Sequence, residues 1–265
     1  KKFSNESFTY RSLPFISSFC EEIIDQAINP EKINFLFQTL VKSIQRINGS
    51  WEIEAKNGRL IKSYNLILSS SLIAHPRCLK ILKIKSIPLR DAFIYGNDKI
   101  VDAVLQATNK LTYLKRKNYI LHVFNFEVVK NFNHEYLQIC FSNVIRDDFN
   151  YEKIIFQRQS DGSMIVVLHC FYTNHLIANN LDNIIQSLIS LFGNYKIFVD
   201  LFLHSRIIDL MYWRASQPLN HLLPKELQWS SSSKIGFCGD WFDLNRGGGV
   251  ESAMNSSIRL SKLLN

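Results

Sequence analysis

The stretch Lys234-Ile235-Gly236-Phe237-Cys238-Gly239-Asp240-Trp241-Phe242, with Gly247-Gly248-Gly249-Val250-Glu251-Ser252-Ala253-Met254 a few residues on, decides how the chain is read. Ile235 to Cys238 is a short apolar run and predicts a buried strand. Gly239 lets the backbone pass close to a ligand, and Asp240 falls at the strand's carboxyl end, where open α/β sheets gather their ligands. Three glycines then permit a second close approach before a helix that starts near Val250. Along that helix Val250, Ala253, Met254, Ser257, Ile258 and Leu260 take packing positions. Its free N–H groups and positive dipole end face whatever lies above the strand. The plainer reading of the same residues is a turn and a helix cap, with Glu251 a favourable first-turn carboxylate.

Upstream of this segment the pattern mixes helices and strands. Residues 11 to 28 predict a helix, ended by Asn29-Pro30 because a residue before proline is pushed out of the helical region. From Ile33 to Ile44 the apolar spacing favours a helix, although Ile33 to Phe37 would also suit a short strand. Trp51, Ile53 and Ala55 alternate with Glu52, Glu54 and Lys56, and Asn57-Gly58 then predicts a hairpin into Leu60 to Tyr64. Leu66 to Leu68 reads as a buried strand, and 97 to 112 as an amphipathic helix. A β-rich middle follows, with strands at 119–127, 136–144, 154–158 and 164–172 and a turn at Asp161-Gly162. Asn180 to Phe192 predicts a helix, and 197–203 and 207–212 predict strands. The order suits two interleaved layers rather than a regular βα alternation.

Composition excludes several classes. At 265 residues, 46% hydrophobic and 12% aromatic, the chain has enough apolar material for a real core and is not disordered or collagen-like. The net charge of +8 is dispersed. The local run Lys110 to Lys117, with Lys80, Lys83 and Lys85, reads as a solvated helix end, so no nucleic-acid partner is expected. Five scattered cysteines without a CxxC pair favour a reducing, cytoplasmic setting over a disulfide framework or zinc site. The histidines form no metal-ligating cluster, so no metal is expected. No continuous apolar run of about 18 residues occurs, and no membrane partner is expected.

Gly239-Asp240-Trp241, a short loop and the run from Gly249 to Leu264 resemble the terminal FAD-binding signature of the flavin amine oxidase superfamily, most closely its renalase-like NAD/FAD-dependent oxidoreductases. Tyr212 to Pro218, with Trp213-Arg214-Ala215, is similar to the aromatic stretch that precedes that signature. Gln38 to Ser71 is similar to the family's segment of valine, hairpin and apolar strand. The resemblance implies that Ile33 to Phe37 is a strand, against the local helical pattern. It implies FAD as cofactor, with Val41 near the adenine end and Gly239, Asp240 and Trp241 along the ribityl and pyrophosphate portion. Gly249, Val250 and Glu251 would present amides to the flavin, and Trp213 would line the substrate cavity. No catalytic side chain is implied.

The chain departs from that family at two places. Its ten glycines contain no GxGxxG, the turn that cradles a dinucleotide pyrophosphate, and Ser69-Ser70-Ser71 stands where relatives carry Ala or Thr and Pro. The expectation is therefore an α/β chain of α+β character. A partial, Rossmann-like FAD-binding domain (10–71 and 206–265) would interleave with an antiparallel-sheet substrate domain (72–205). It would transfer a hydride from an amine or dihydronicotinamide-like small molecule to flavin, with a separate chain supplying the missing nucleotide-binding unit. The alternative is a truncated or diverged relative that acts as a non-catalytic binding or partner subunit.

Overall fold

The computed structural model describes residues 22–26, 30–94, 96–172, 181–220, 222–242 and 249–264, and the chain divides into two units, 1–39 and 40–265. In the first unit the described residues form a helical turn at 22–25 and a 3-10 turn at Pro30–Lys32. Most of the helix expected over 11 to 28 lies outside the described residues. Ile33 to Phe37 forms neither the strand implied by resemblance nor the locally favoured helix, and its backbone is irregular. A strand is completed by hydrogen bonds to a neighbour. Among the described residues no strand pairs with this segment, and Phe37 is 81% exposed.

The second unit opens with an antiparallel meander of β1 (Val41–Ile47), β2 (Ser50–Ala55) and β3 (Leu60–Ser63). The helical spacing through Ile44 is overridden because Ile44 sits opposite Ile53, giving the strand a buried apolar neighbour. Asn48-Gly49 makes the tight turn between β1 and β2. Both residues have positive φ (49° and 81°), as a two-residue type I′ hairpin requires. The expected Asn57-Gly58 hairpin also forms, with a longer connection at residues 56–59. There only Gly58 of the pair has positive φ, and its N–H donates to the Ala55 carbonyl.

β4 (Leu66–Leu68) runs parallel to β11 (Ile235–Phe237), with Leu66 opposite Ile235 and Leu68 opposite Phe237, and β10 (Trp229–Ser230) pairs antiparallel on the far side of β11. Three helices complete this half: α1 (Arg77–Leu82), α2 (Pro88–Asp91) and α3 (Lys99–Lys110). They enclose a core in which Trp51, Leu89, Val104, Phe237, Trp241 and Phe242 are fully buried. The start of α3 is a polar knot inside it. Asp98, 4% exposed, caps the helix by accepting the Ile100 and Val101 N–H groups on Oδ1. Its Oδ2 accepts the hydroxyls of Ser230, Ser232 and Ser233, tying the helix to the β10–β11 turn. Burial pushes the Asp98 carboxyl up, and the hydroxyl and amide donors more than offset it, so its pKa ends below the usual value.

A second core lies under the five-stranded antiparallel sheet, in the order β6 (Tyr136–Cys140), β7 (Tyr151–Arg158), β8 (Met164–Phe171), β5 (Tyr113–Val123), β9 (Ser205–Pro218). Met164, Val166, Leu168 and Cys170 alternate inward along β8, as period-two patterning demands. The helices of this half are α4 (Phe126–Lys130), α5 (Asn143–Phe149), α6 (Leu181–Leu191) and α7 (Lys196–Leu203). Two expectations are corrected here. Residues 197–203 form α7 rather than a strand, because Phe198, Leu201 and Phe202 recur at helical spacing and meet Phe156 and Phe192. Residues 126–130 turn into α4 rather than continuing a strand, because Asn125 caps them through the Glu127 and Val128 amides.

The fold is thus mixed α/β with antiparallel sheets. β9 pairs with β5 along its length, so residues 205–218 belong to the antiparallel sheet, and the chain returns to the first core after Pro218. No described helix is long and apolar enough to cross a membrane.

Two measurements check this account. Asp98→Ala removes a cap and leaves the buried hydroxyls of Ser230 and Ser233 without their acceptor, so the urea midpoint falls by the equivalent of about 2–4 kcal/mol. A loss under ~0.5 kcal/mol would show that the knot is ornamental. His169, on the outer face of β8, has its pKa lowered to about 4 by burial, with Lys153 and Arg116 adding to the effect. The folded state therefore takes up this proton later than the unfolded chain does. Stability is full above about pH 6.5 and falls as pH drops toward 4, and His169→Leu flattens that slope in denaturation curves recorded across the window.

Candidate functional site at the carboxyl ends of the parallel pair

β4 and β11 end side by side, and the residues that follow them make the site. After β11 the chain turns at Gly239, with φ of +124°. A side chain there would meet the Ser69 carbonyl oxygen and stand 2.6 Å from Trp241 Nε1. The approach of one strand end to the other therefore by itself demands a glycine here. Ser256 of α8 (Val250–Leu264) locks the turn from above. Its Oγ accepts the Gly239 N–H at 2.7 Å and lies 3.0 Å from the Gly239 carbonyl. Gln228 reaches the same junction, its Nε2 donating to the carbonyls of Ser256 (2.8 Å) and Phe237 (3.3 Å).

Trp241 is fully buried, and its indole N–H donates to the Cys238 carbonyl at 2.6 Å. Its side chain is a core element, and a ligand could meet only the backbone of this residue. Asp240 is half-buried. Burial pushes its carboxyl above the usual value, while the Gly249 backbone amide and the nearby Arg77 guanidinium pull it back. Asp240 thus fastens the start of α8, which is the cap reading of this residue. Gly249 has φ of +106° and open space where a side chain would point. Val250 and Glu251 lie exposed in the first turn, where backbone N–H groups have no partner within the helix. Ser252 beside them is 1% exposed, and its Oγ has no hydrogen-bond partner among the described residues. Gly247 and Gly248 lie outside the described residues.

β4 contributes groups that the sequence reading missed. Ser71, 3% exposed, shares a hydrogen bond with the Tyr113 hydroxyl, and its Oγ accepts from Arg77 Nη2 at 3.2 Å. The Arg77 guanidinium carbon stands 4.3 Å from the Tyr113 ring centroid, a cation–π contact. His75 holds the Arg77 backbone, its Nδ1 accepting the Arg77 N–H at 3.0 Å while Nε2 faces the Leu111 carbonyl at 2.9 Å. Burial raises the Tyr113 hydroxyl's pKa, and Asp240 adds to it, which places these groups in one field. The available signal was the strand-end rule, which applies to β4 as much as to β11.

Two predicted residues stand apart from this cluster. Val41 opens β1 in the meander. Trp213, 45% exposed, lies on β9 opposite Arg116, about 10 Å along the sheet from Tyr113 at roughly 3.3 Å per residue. A cleft of about 450 Å³ follows β1 from Lys42 to Ile47 and is walled by Ile84, Ser86 and Pro88, and none of the predicted site residues lines it.

No protein-family model and no curated protein matches the chain. Among solved structures it is similar to an oxidoreductase from Methanosarcina mazei, at 14% identity and a TM-score of 0.51 over 86% of this chain and 49% of that one. It also resembles a fatty acid isomerase from P. acnes that produces CLA (11% identity, TM-score 0.48, covering 85% and 47%). A third likeness is to the tetracycline destructase Tet(51) (15% identity, TM-score 0.39, covering 87% and 51%). The chain spans about half the length of these structures. What it shares with the oxidoreductase is the fold.

The two glycines of the site separate in a melting experiment. Gly239→Ala forces a left-handed backbone and a backbone clash together and costs more than about 3 kcal/mol, enough to prevent stable folding. Gly249→Ala meets nothing and costs about 1–2 kcal/mol for its φ alone. Equal effects would mean that the Ser69 approach does not limit position 239.

Proposed function

We propose that this chain forms part of an FAD-dependent oxidoreductase of the renalase-like, flavin amine oxidase type, acting on an amine or dihydronicotinamide-like small molecule. The observation that carries this reading is a buried Ser252 hydroxyl, set in the first turn of α8, that has no hydrogen-bond partner among the described residues. Buried polar groups are nearly always paired. A buried hydroxyl of this kind at a helix start suits a ligand rich in hydroxyls and oxyanions. The residues present fit FAD on these grounds: Ser252 and the Val250 and Glu251 amides toward polar atoms of the ring, and Asp240 toward the ribityl hydroxyls. Bound FAD would supply the hydride acceptor. The chain's own part is to orient and to set the field. The α8 dipole favours negative charge at its start by about 0.3–2 kcal/mol, and Trp213 on β9 offers an apolar surface to the substrate.

The nucleotide-binding turn absent from this sequence has a place to dock. β4 is the last strand of its sheet, with β11 its only partner among the described residues, and Ile67 at its centre is 46% exposed. Parallel strands are ordinarily covered on both faces. A strand–turn–helix unit, from a separate chain or from further residues, would extend the sheet there and cover Ile67.

Equilibrium dialysis against FAD, paired with thermal melting, tests the reading. Binding should raise the melting temperature, because a ligand held only by the native state stabilises it by about 2.7 kcal/mol at a hundred times Kd. Asp240→Ala should weaken binding at least tenfold while the protein stays folded. A folded, colourless protein indifferent to FAD would support the non-catalytic alternative, whose basis is the missing GxGxxG.

A further inference from the structure

Arg77 is under-used where it stands. A guanidinium carries five N–H donors. Among the described residues one of them is committed, from Nη2 to Ser71 Oγ, and the buried Nε has no acceptor. No carboxylate lies within ion-pair distance of Arg77 among those residues, although Asp240 is close enough for its charge to be felt. The same fold shows what a satisfied arginine looks like. Arg116 grips Glu152 with two bonds of 2.6 and 2.5 Å and gives further bonds to Ser216 and Gln217.

The under-used cation is also held in place. Its guanidinium lies over the Tyr113 ring, Tyr113 is fixed by Ser71, and the His75 imidazole accepts the Arg77 backbone N–H. A pre-oriented arginine loses little freedom on binding and presents a planar fork suited to oxyanions. It bonds Ser71 just past the end of β4, near enough to Asp240, just past the end of β11, for the two charges to be felt.

We propose that Arg77 binds the phosphate of the cofactor at this site, with Ser71 and Tyr113 as positioning residues. This inference rests on the FAD reading above, and the experiment separates the two. Affinities of the wild-type protein, Arg77→Gln and Arg77→Lys are measured for FAD and for riboflavin, which lacks phosphate, by flavin fluorescence quenching. Melting temperatures without ligand report folding.

Wild type should bind FAD more tightly than riboflavin. Arg77→Gln should lose about tenfold to a hundredfold in FAD affinity, the range of one charge-assisted hydrogen bond or two, with riboflavin binding changed less than twofold. Arg77→Lys keeps the charge without the fork and should fall between; it also serves if the Gln variant does not fold. Binding of FAD that survives in both variants overturns the role of Arg77 and leaves the cofactor reading standing. An equal loss for riboflavin shows that Arg77 acts on the ring or the fold and overturns the phosphate assignment. No binding of either flavin by the wild type overturns both.

Discussion

The close passage of Gly239 beside the Ser69 carbonyl governs how the two parallel strands end. It sets β4 and β11 level, so that Ser71 and Asp240 emerge together, and it leaves room for no side chain at position 239. Ser256 and Gln228 hold the junction from α8 and the β10 side, using buried hydrogen bonds that a small shift of the helix would break. Since an orphaned buried donor costs about 1–3 kcal/mol, the helix start has one position relative to the strand ends. The site's geometry follows from packing that has nothing to do with a ligand, and that is how a functional constellation becomes rigid.

Much of this was legible in the residues. Period-two alternation marked β2, the Asp161-Gly162 turn between apolar runs marked β7 and β8, and the apolar Ile235–Cys238 run before Gly239-Asp240 marked β11 and the turn. The misses have local causes. The Asn48-Gly49 turn was overlooked because the helical spacing from Leu36 to Ile44 ran straight into it, although Asn-Gly is the stronger hairpin signal. Residues 197–203 are apolar at nearly every position, so their period could not be seen without Phe156 and Phe192 to pack against. In the site, Asp240 and Gly249 were readable from the C-terminal pattern, whereas Arg77 and Tyr113 were not. They come within reach of Asp240's charge only because β4 and β11, separated by more than 150 residues of sequence, lie side by side.

Two cores divide the labour of the second unit. One joins the meander, the parallel pair and α1 to α3, and the other joins the five-stranded sheet to α4 through α7. β5 and β9 connect them: Tyr113 belongs at its side chain to the first, while Tyr119, Leu121 and Val123 belong to the second. An adjustment in the sheet would therefore reach the Arg77–Tyr113 stack along one continuous strand.

The open flank of β4 has a consequence for the molecule's behaviour in solution. Backbone donors and acceptors with no strand partner among the described residues, beside an uncovered isoleucine, make an adhesive border. Tyr64 and Leu60 are also about 70% exposed. In isolation the polypeptide would tend to stick to copies of itself, so its homogeneity depends on something shielding that rim.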